Sequence, residues 1–360
     1  MKFTCEKNAL VSAISVASRT VAQKSTIPAL EGIYIRAGVK LTLSGYNLET
    51  GITISVDAEI QQTGACIMPS RLFFDIIRKL PGDTVSISVD EKFKVSIRGG
   101  ISSFSITAMS SEDYPELPEV ESDKGISLPQ NELKAMIGGT SFAVSENQAR
   151  PIHTGCLFEV EDSSITVVAV DGYRLALRRW KSEEPIGRTL KFVVPAAALK
   201  EAEKILGDTD EACMFFLGSK HILFTIGEAT LVCRLLEGEF LDWRRVLPQN
   251  QPVKLAVNVA KMTDSIERVG LIISEKLKSP VRCKFGENTA DFRSVSTIGE
   301  AHDVCQIAGD GQDMEIGFNC RYLLDALRAI PDAECSLELI NGLSPVSYTH
   351  LRAHETGRNL

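Results

Sequence analysis

Pro69-Ser70-Arg71-Leu72-Phe73-Phe74-Asp75-Ile76-Ile77-Arg78-Lys79-Leu80, closed by Pro81-Gly82-Asp83, is the stretch on which the fold turns. A proline suits a first helical turn, apolar residues recur at helical spacing, and Pro-Gly stops the run. The same outline returns at residues 195–206 before Gly207-Asp208, and at residues 319–330 before Pro331-Asp332, at offsets of 126 and 250. One amphipathic helix is ordinary, but three at nearly equal intervals predict an internal repeat.

Working outward, a second helix obeys the same interval. Leu10, Ile14, Ala17 and Val21 form one apolar face, echoed by Leu133, Ile137, Thr140 and Val144 and again by Met262, Ile266, Val269 and Ile273. Strand text repeats as well: residues 41–47 (Leu-Thr-Leu-Ser-Gly-Tyr-Asn) align with residues 165–171 (Ile-Thr-Val-Val-Ala-Val-Asp). Alternating segments such as 85–89, 93–97 and 104–107 lie between turn signals. Residues 114–119 and 247–252 are proline-bearing, polar and extended, as linkers are. The chain therefore reads as three similar units, 1–122, 126–248 and 250–346. Each has two helices packed on antiparallel strands, an α+β architecture. Residues 347–360 lack alternation and resemble translated sequencing-adapter text. They are expected to be foreign to the chain, and the third unit is expected to lack its last strand.

Composition narrows the classes. With 360 residues, 44% apolar and 24% charged, the chain is neither disordered nor fibrous. It shows no apolar run of about 18 residues and no secretory h-region, so no membrane partner is expected. Nine scattered cysteines without a Cys-x-x-Cys pair argue against zinc and a disulfide framework and fit a reducing cytoplasm. Neither metal nor cofactor is expected. Phosphate-binding glycine loops and nucleophile elbows are missing. His350 and His354 stand four apart, a spacing that would share a helix face, but no third ligand accompanies them.

Residues 168–176 (Val-Ala-Val-Asp-Gly-Tyr-Arg-Leu-Ala) resemble the central signature of the bacterial sliding clamps, the β subunits of DNA polymerase III. Residues 150–159 and 236–248, the opening Met1-Lys2-Phe3-Thr4 and the turn Ile27-Pro28-Ala29-Leu30 agree in order and spacing. The resemblance spans about residues 1–346 and all three repeats.

It implies a non-enzymatic ring, in which two three-domain chains join head to tail around duplex DNA with helices lining the hole. The net charge of −8 divides accordingly: six helical stretches carry four net positive charges, leaving −12 for the rest. A mildly basic hole inside an acidic wall gives weak, slidable binding, since each neutralised phosphate adds a salt slope of only about −0.9. Lys24 and Gln148 match family positions that touch DNA, and Arg19, Arg78 and Lys79 are further DNA-facing candidates.

The resemblance also implies a pocket for short apolar peptides of the polymerase α subunit, the clamp loader and other partners. Its wall, carried over by position, is Ile152, His153, Val170, Gly172, Tyr173, Arg174, Leu175, Leu241, Arg245, Val246, Leu277 and Leu343, with Arg174 and Arg245 as donors at the rim. The family usually has Leu at His153 and Pro at Leu241, and completes the pocket with an apolar C-terminal tail. Without that tail, weak partner binding is expected. Leu72, Phe104 and Ile106 match ring-closing positions that face Ile272 and Ile273 of a second chain. Two rival readings are an enzyme using Asp171, His153 and Tyr173, and a monomeric repeat-built adaptor that binds no DNA.

Overall fold

The computed structural model describes residues 1–121, 124–273, 279–344 and 346–350. Their secondary structure is mixed, with six helices among the described residues: α1 (Lys7–Ala17), α2 (Ser70–Lys79), α3 (Gln130–Gly138), α4 (Ala196–Ile205), α5 (Val259–Gly270) and α6 (Cys320–Arg328). All six fall where the repeat predicts them. The prolines do not enter the helices. Pro69 is the N-cap of α2 and Pro195 ends the strand before α4, so each sets φ one residue before the first turn.

Contacts divide the chain into two compact units rather than three: Met1–Lys134 with Ala197–Leu235, and Ala135–Ala196 with Leu236–Leu360. The first unit holds a five-stranded antiparallel sheet and an eight-stranded one. In the larger sheet, Ala229–Arg234 of the second repeat pairs with Thr50–Val56 of the first, through the register Leu231 with Ile52. Main-chain pairing across that seam is why the compact units ignore the repeat boundaries. The second unit holds the four-stranded sheet of Gly155–Glu161 and its neighbours, and the five-stranded sheet of the third repeat.

Core formation follows the periodicity. Leu10, Ala13, Ile14 and Ala17 of α1 are buried against Phe3, Ile35, Leu43 and Phe73. In the second unit Met262, Ile266 and Val269 meet Phe285, Phe292 and Leu337. Each fully buried apolar side chain of this size contributes about 1.5–3 kcal/mol. The predicted faces run too long, however. α1 stops at Ala17 and α3 at Gly138, leaving Val21 and Val144 outside the helices. Hydroxyls terminate both. Ser18 Oγ donates to Ile14 O at 2.6 Å, and Thr140 Oγ1 donates to Met136 O at 2.7 Å. Gly45 admits the end of α1, since a Cβ there would stand 2.0 Å from Ala17 O.

The strand expected to be missing is present. Ser347–His350 pairs antiparallel with Glu334–Leu339, in the register Leu337 with Tyr348. Both of its described faces are buried. Ser347 Oγ accepts from Gln251 Nε2 at 2.7 Å, while Tyr348 packs in the third-repeat core. A strand buried on two sides need not alternate, which is why its residues give no period-two signal. The extended backbone also removes the helical i, i+4 geometry considered for His350. Residues 351–360, His354 among them, lie outside the described residues.

Candidate partner-docking site

The motif Asp171-Gly172-Tyr173-Arg174 is the tip of a hairpin between Ser164–Val170 and Leu175–Lys181. Asp171 Oδ1 accepts the main-chain N–H groups of Tyr173 at 2.9 Å and Arg174 at 3.0 Å. The Asp171 N–H donates back to Arg174 O at 3.2 Å. Gly172 takes φ +93°, a conformation that costs glycine nothing. The first repeat builds the same turn at the aligned place. Asn47 Oδ1 accepts from Glu49 N at 3.0 Å and Thr50 N at 2.8 Å, with Leu48 at φ +74°. In the third repeat Ser296 Oγ accepts from Ile298 N at 3.2 Å. Only the middle copy places an arginine at the fourth position.

That arginine is enclosed. Arg174 is 8% exposed, with Nε 3.0 Å from Asp171 Oδ2, Nη1 2.8 Å from Asp325 Oδ2 of α6, and Nη2 2.6 Å from Phe142 O. Its guanidinium lies 4.2 Å over the Tyr322 ring, also on α6. The expectation of a rim donor is therefore corrected: Arg174 pins the hairpin tip to α6, and its charge is met by two carboxylates. Arg245 is the exposed cation of the pair, bonded through Nε to Asp242 Oδ2 at 3.0 Å.

Beside this junction opens a cavity of about 830 Å³. Val170, Gly172, Tyr173, Arg174, Leu175, Leu241, Val246 and Leu343 line it, all expected from the sequence. Tyr173, Leu241, Val246 and Leu343 are exposed, so apolar surface faces solvent there. Ile152, His153 and Arg245 do not line it, and Leu277 lies outside the described residues. Ile152 packs instead into the small core with Leu157 and Trp243. The His153 ring stands edge-on to Phe240, centroids 5.2 Å apart, with Nε2 buried and without a hydrogen-bond partner. Burial, and then the Arg150 charge, hold its imidazole below the usual histidine pKa. Sequence reasoning does not find Phe142, Phe318, Tyr322, Leu323, Val346 and Tyr348, which also line the cavity. The repeat marks α6 as a helix, but nothing local marks its apolar face as a pocket wall. Val346 and Tyr348 supply apolar surface where a tail was expected to be missing.

The rival catalytic set does not assemble, because Asp171 is spent on the turn and on Arg174 and His153 is outside the cavity. Among the described residues no three His, Cys, Asp or Glu gather as a metal site, and no described helix is long and apolar enough to cross a membrane.

Three family models cover nearly the whole chain: the N-terminal domain of the DNA polymerase III beta subunit over residues 1–118, its central domain over 127–242 and its C-terminal domain over 244–355. The chain belongs to the DNA polymerase III beta subunit family. The beta sliding clamps of Staphylococcus epidermidis and Staphylococcus aureus are each 32% identical to it, across 96% of this chain and 94% of theirs. The sliding clamp of Bacillus subtilis superposes with a TM-score of 0.92 at 30% identity, covering 100% of this chain and 97% of that one. A Pseudomonas aeruginosa sliding clamp solved with griselimycin gives 0.93 at 27%, covering 100% and 98%. The C-terminal match continues to residue 355, past the point where foreign text was expected to begin. As a beta sliding clamp, the chain is a replication processivity factor and not an enzyme.

The other expected positions divide by environment. Lys24, Gln148 and Lys79 are exposed. Arg78 bonds Asp75 at 3.4 Å. Arg19 lies 3.5 Å from Glu201 on α4, with its Nε buried and without a partner. A paired arginine offers less charge to a phosphate than a free lysine. At the edge of the five-stranded sheet, Ser102–Thr107 carries Phe104, 41% exposed, and Ile106, partly packed into the first core. Leu72 is 49% exposed on α2, and Ile272 and Ile273 are half-buried just past α5.

Proposed function

We propose that two copies of this chain close head to tail around duplex DNA and tether the replicative polymerase α subunit, the clamp loader and related proteins through the Arg174–Tyr322 cavity. The single observation that carries the docking reading is that cavity. It is mostly apolar, of a volume suited to a short peptide, and is held open by a fully paired arginine. A partner's Leu or Phe would bury against Val170, Leu175, Leu241 and Val246, gaining about 1.5–3 kcal/mol for each fully buried side chain.

Ring closure is assigned to Leu72, Phe104 and Ile106 against Ile272 and Ile273 of the second copy. The support is an edge strand with exposed apolar residues, since unpaired edges favour another chain. Lys24 and Gln148, with Lys79, are the residues assigned to DNA, and Arg19 and Arg78 contribute less because each has a carboxylate neighbour. The domain reading keeps the repeats 1–122 and 126–248 and extends the third, expected over 250–346, to take in the strand Ser347–His350. Nine free thiols favour the cytoplasm as the working compartment.

The test loads the protein on nicked circular DNA with a clamp loader and then linearises the circle. A topological ring stays on the circle at moderate salt and runs off the linear form. Equal retention on both, or a monomer in sedimentation, would favour the adaptor reading instead.

A further inference from the structure

The loop from Leu235 to Pro252 links two strands and, past the bridge of Leu236 to Val193, contains one short element, the 3-10 turn Trp243–Arg245. Yet it supplies Leu241 and Val246 to the cavity wall. Something must hold it, and the structure contains one buried anion directly beneath the turn. Glu159, on the strand Gly155–Glu161, is 7% exposed. Its Oε2 accepts from Trp243 Nε1 at 3.2 Å and lies 2.8 Å from Arg244 Nη1. Its Oε1 lies 3.3 Å from Lys191 Nζ. Arg244 also reaches Glu161 Oε1 at 3.4 Å and stacks its guanidinium 4.3 Å over the Trp243 ring.

We propose that Glu159 is a positioning residue for the partner cavity, acting through Trp243 and Arg244 to fix Leu241 and Val246. The inference rests on the docking reading above. The physical basis is that a buried carboxylate needs its donors: Oε2 has Trp243 and Arg244 as its partners, and Lys191 meets only Oε1, so losing either loop residue leaves the carboxylate under-satisfied and the turn is held onto the sheet. Trp243 and Phe240 are themselves buried in the small core with Leu157, Val170 and Leu175. Two loop residues that face inward are thus locked: Leu241 lies between them, and Val246 is tied to the turn by its N–H, which donates to Trp243 O at 3.2 Å. Glu159 itself does not line the cavity. It contributes to binding by making the wall rigid before a peptide arrives, which lowers the ordering cost of association.

The experiment measures binding of a fluorescein-labelled peptide ending in Leu and Phe to the full chain by polarisation, with sedimentation and DNA retention on the same samples. Glu159→Ala is expected to weaken the peptide about tenfold, and Glu159→Gln, which still accepts from the indole, about threefold. Combining Glu159→Ala with Arg244→Ala should cost less than the sum of the two, because both act on the Trp243 turn and are in contact with each other. Lys191→Ala, which removes a Glu159 partner outside the loop, should bind as the unaltered chain does. Dimer mass and retention on circular DNA should not change in any of them. Peptide binding by Glu159→Ala equal to that of the unaltered chain would overturn the inference. So would equal weakening by Lys191→Ala, or a parallel loss of the dimer. If Tyr173→Ala and Val246→Asp also leave binding unchanged, or the unaltered chain binds no peptide, the docking reading itself has failed.

Discussion

Arg174 Nη1 lies 2.8 Å from Asp325 Oδ2, joining the middle-repeat hairpin to α6 across 151 residues of chain. Asp325 is 25% exposed and Arg174 only 8%, so the pair sits where water competes weakly. Asp325→Ala would leave the guanidinium with one carboxylate, Asp171, beside Phe142 O and the Tyr322 ring. A loss of about 1–3 kcal/mol in stability is expected, less than for a wholly buried pair. Urea unfolding of the second unit's signal checks it. An unchanged midpoint would show that the ion pair is replaced by water without cost.

Leu48 and Gly172 occupy the same place in two copies of one turn, at φ +74° and +93°. A leucine pays about 1–2 kcal/mol for the left-handed conformation, and its side chain is half exposed. Leu48→Asn keeps the turn and relieves that strain, so the melting temperature should rise. Gly172→Ala should lower it by backbone strain alone, because a Cβ there meets nothing within 4 Å. Differential scanning calorimetry of both variants should give shifts of opposite sign.

Ile272→Ala with Ile273→Ala should shift the sedimenting species from dimer toward monomer at micromolar concentration, with little change in helix content. Truncating half-buried isoleucines costs a monomer's core far less than it costs an interface that must bury them. A dimer unchanged at the lowest measurable concentration removes these residues from ring closure.

The thiols should be silent in the native state. Burial pushes Cys5, Cys66, Cys233 and Cys335 up to about 12, and Cys213 up to about 11. Cys320 is the one thiol of intermediate burial, and burial raises it as well. Thiolate, not thiol, attacks a disulfide reagent. Ellman titration at pH 8 should therefore find at most about one fast thiol natively and nine after denaturation.

His153 and His221 both have imidazoles held below the usual value, first by burial and then by neighbouring cations. Protonation thus favours the unfolded chain. Their contribution is fully present above the unfolded histidine pKa of about 6.5 and falls away as pH drops toward the lower folded values. Stability should decline from pH 7 to pH 5, and His153→Leu should flatten part of that slope. A slope identical in the variant would assign the decline to other groups.

Part of the site is legible in the amino-acid order. The Asp171–Arg174 turn is local chemistry, a carboxylate bonding main-chain groups two and three residues on, so four letters specify it. The helix faces at Leu10, Ile14, Met262 and Ile266 follow from a 3.6-residue period alone. Sequence and structure part where a residue's surroundings come from far away. Position in the family motif assigns His153 to the cavity, but the Phe240 ring draws it aside. Want of alternation argues against a strand at Ser347–His350, yet its two sides are covered by Gln251 and by the third-repeat core.

The amino-acid order by itself determined the three repeats, their helices and the hairpin that bears the motif, because each depends on interactions within about a dozen residues. Only the tertiary structure decided that Arg174 would meet Asp325 and Tyr322, that Glu159 would hold the Trp243 turn, and that strands of two repeats would merge into one sheet. Those pairings close loops of scores of residues. Which partner wins is set by packing and by the need to satisfy buried charge, and neither quantity is written in any single stretch of the chain.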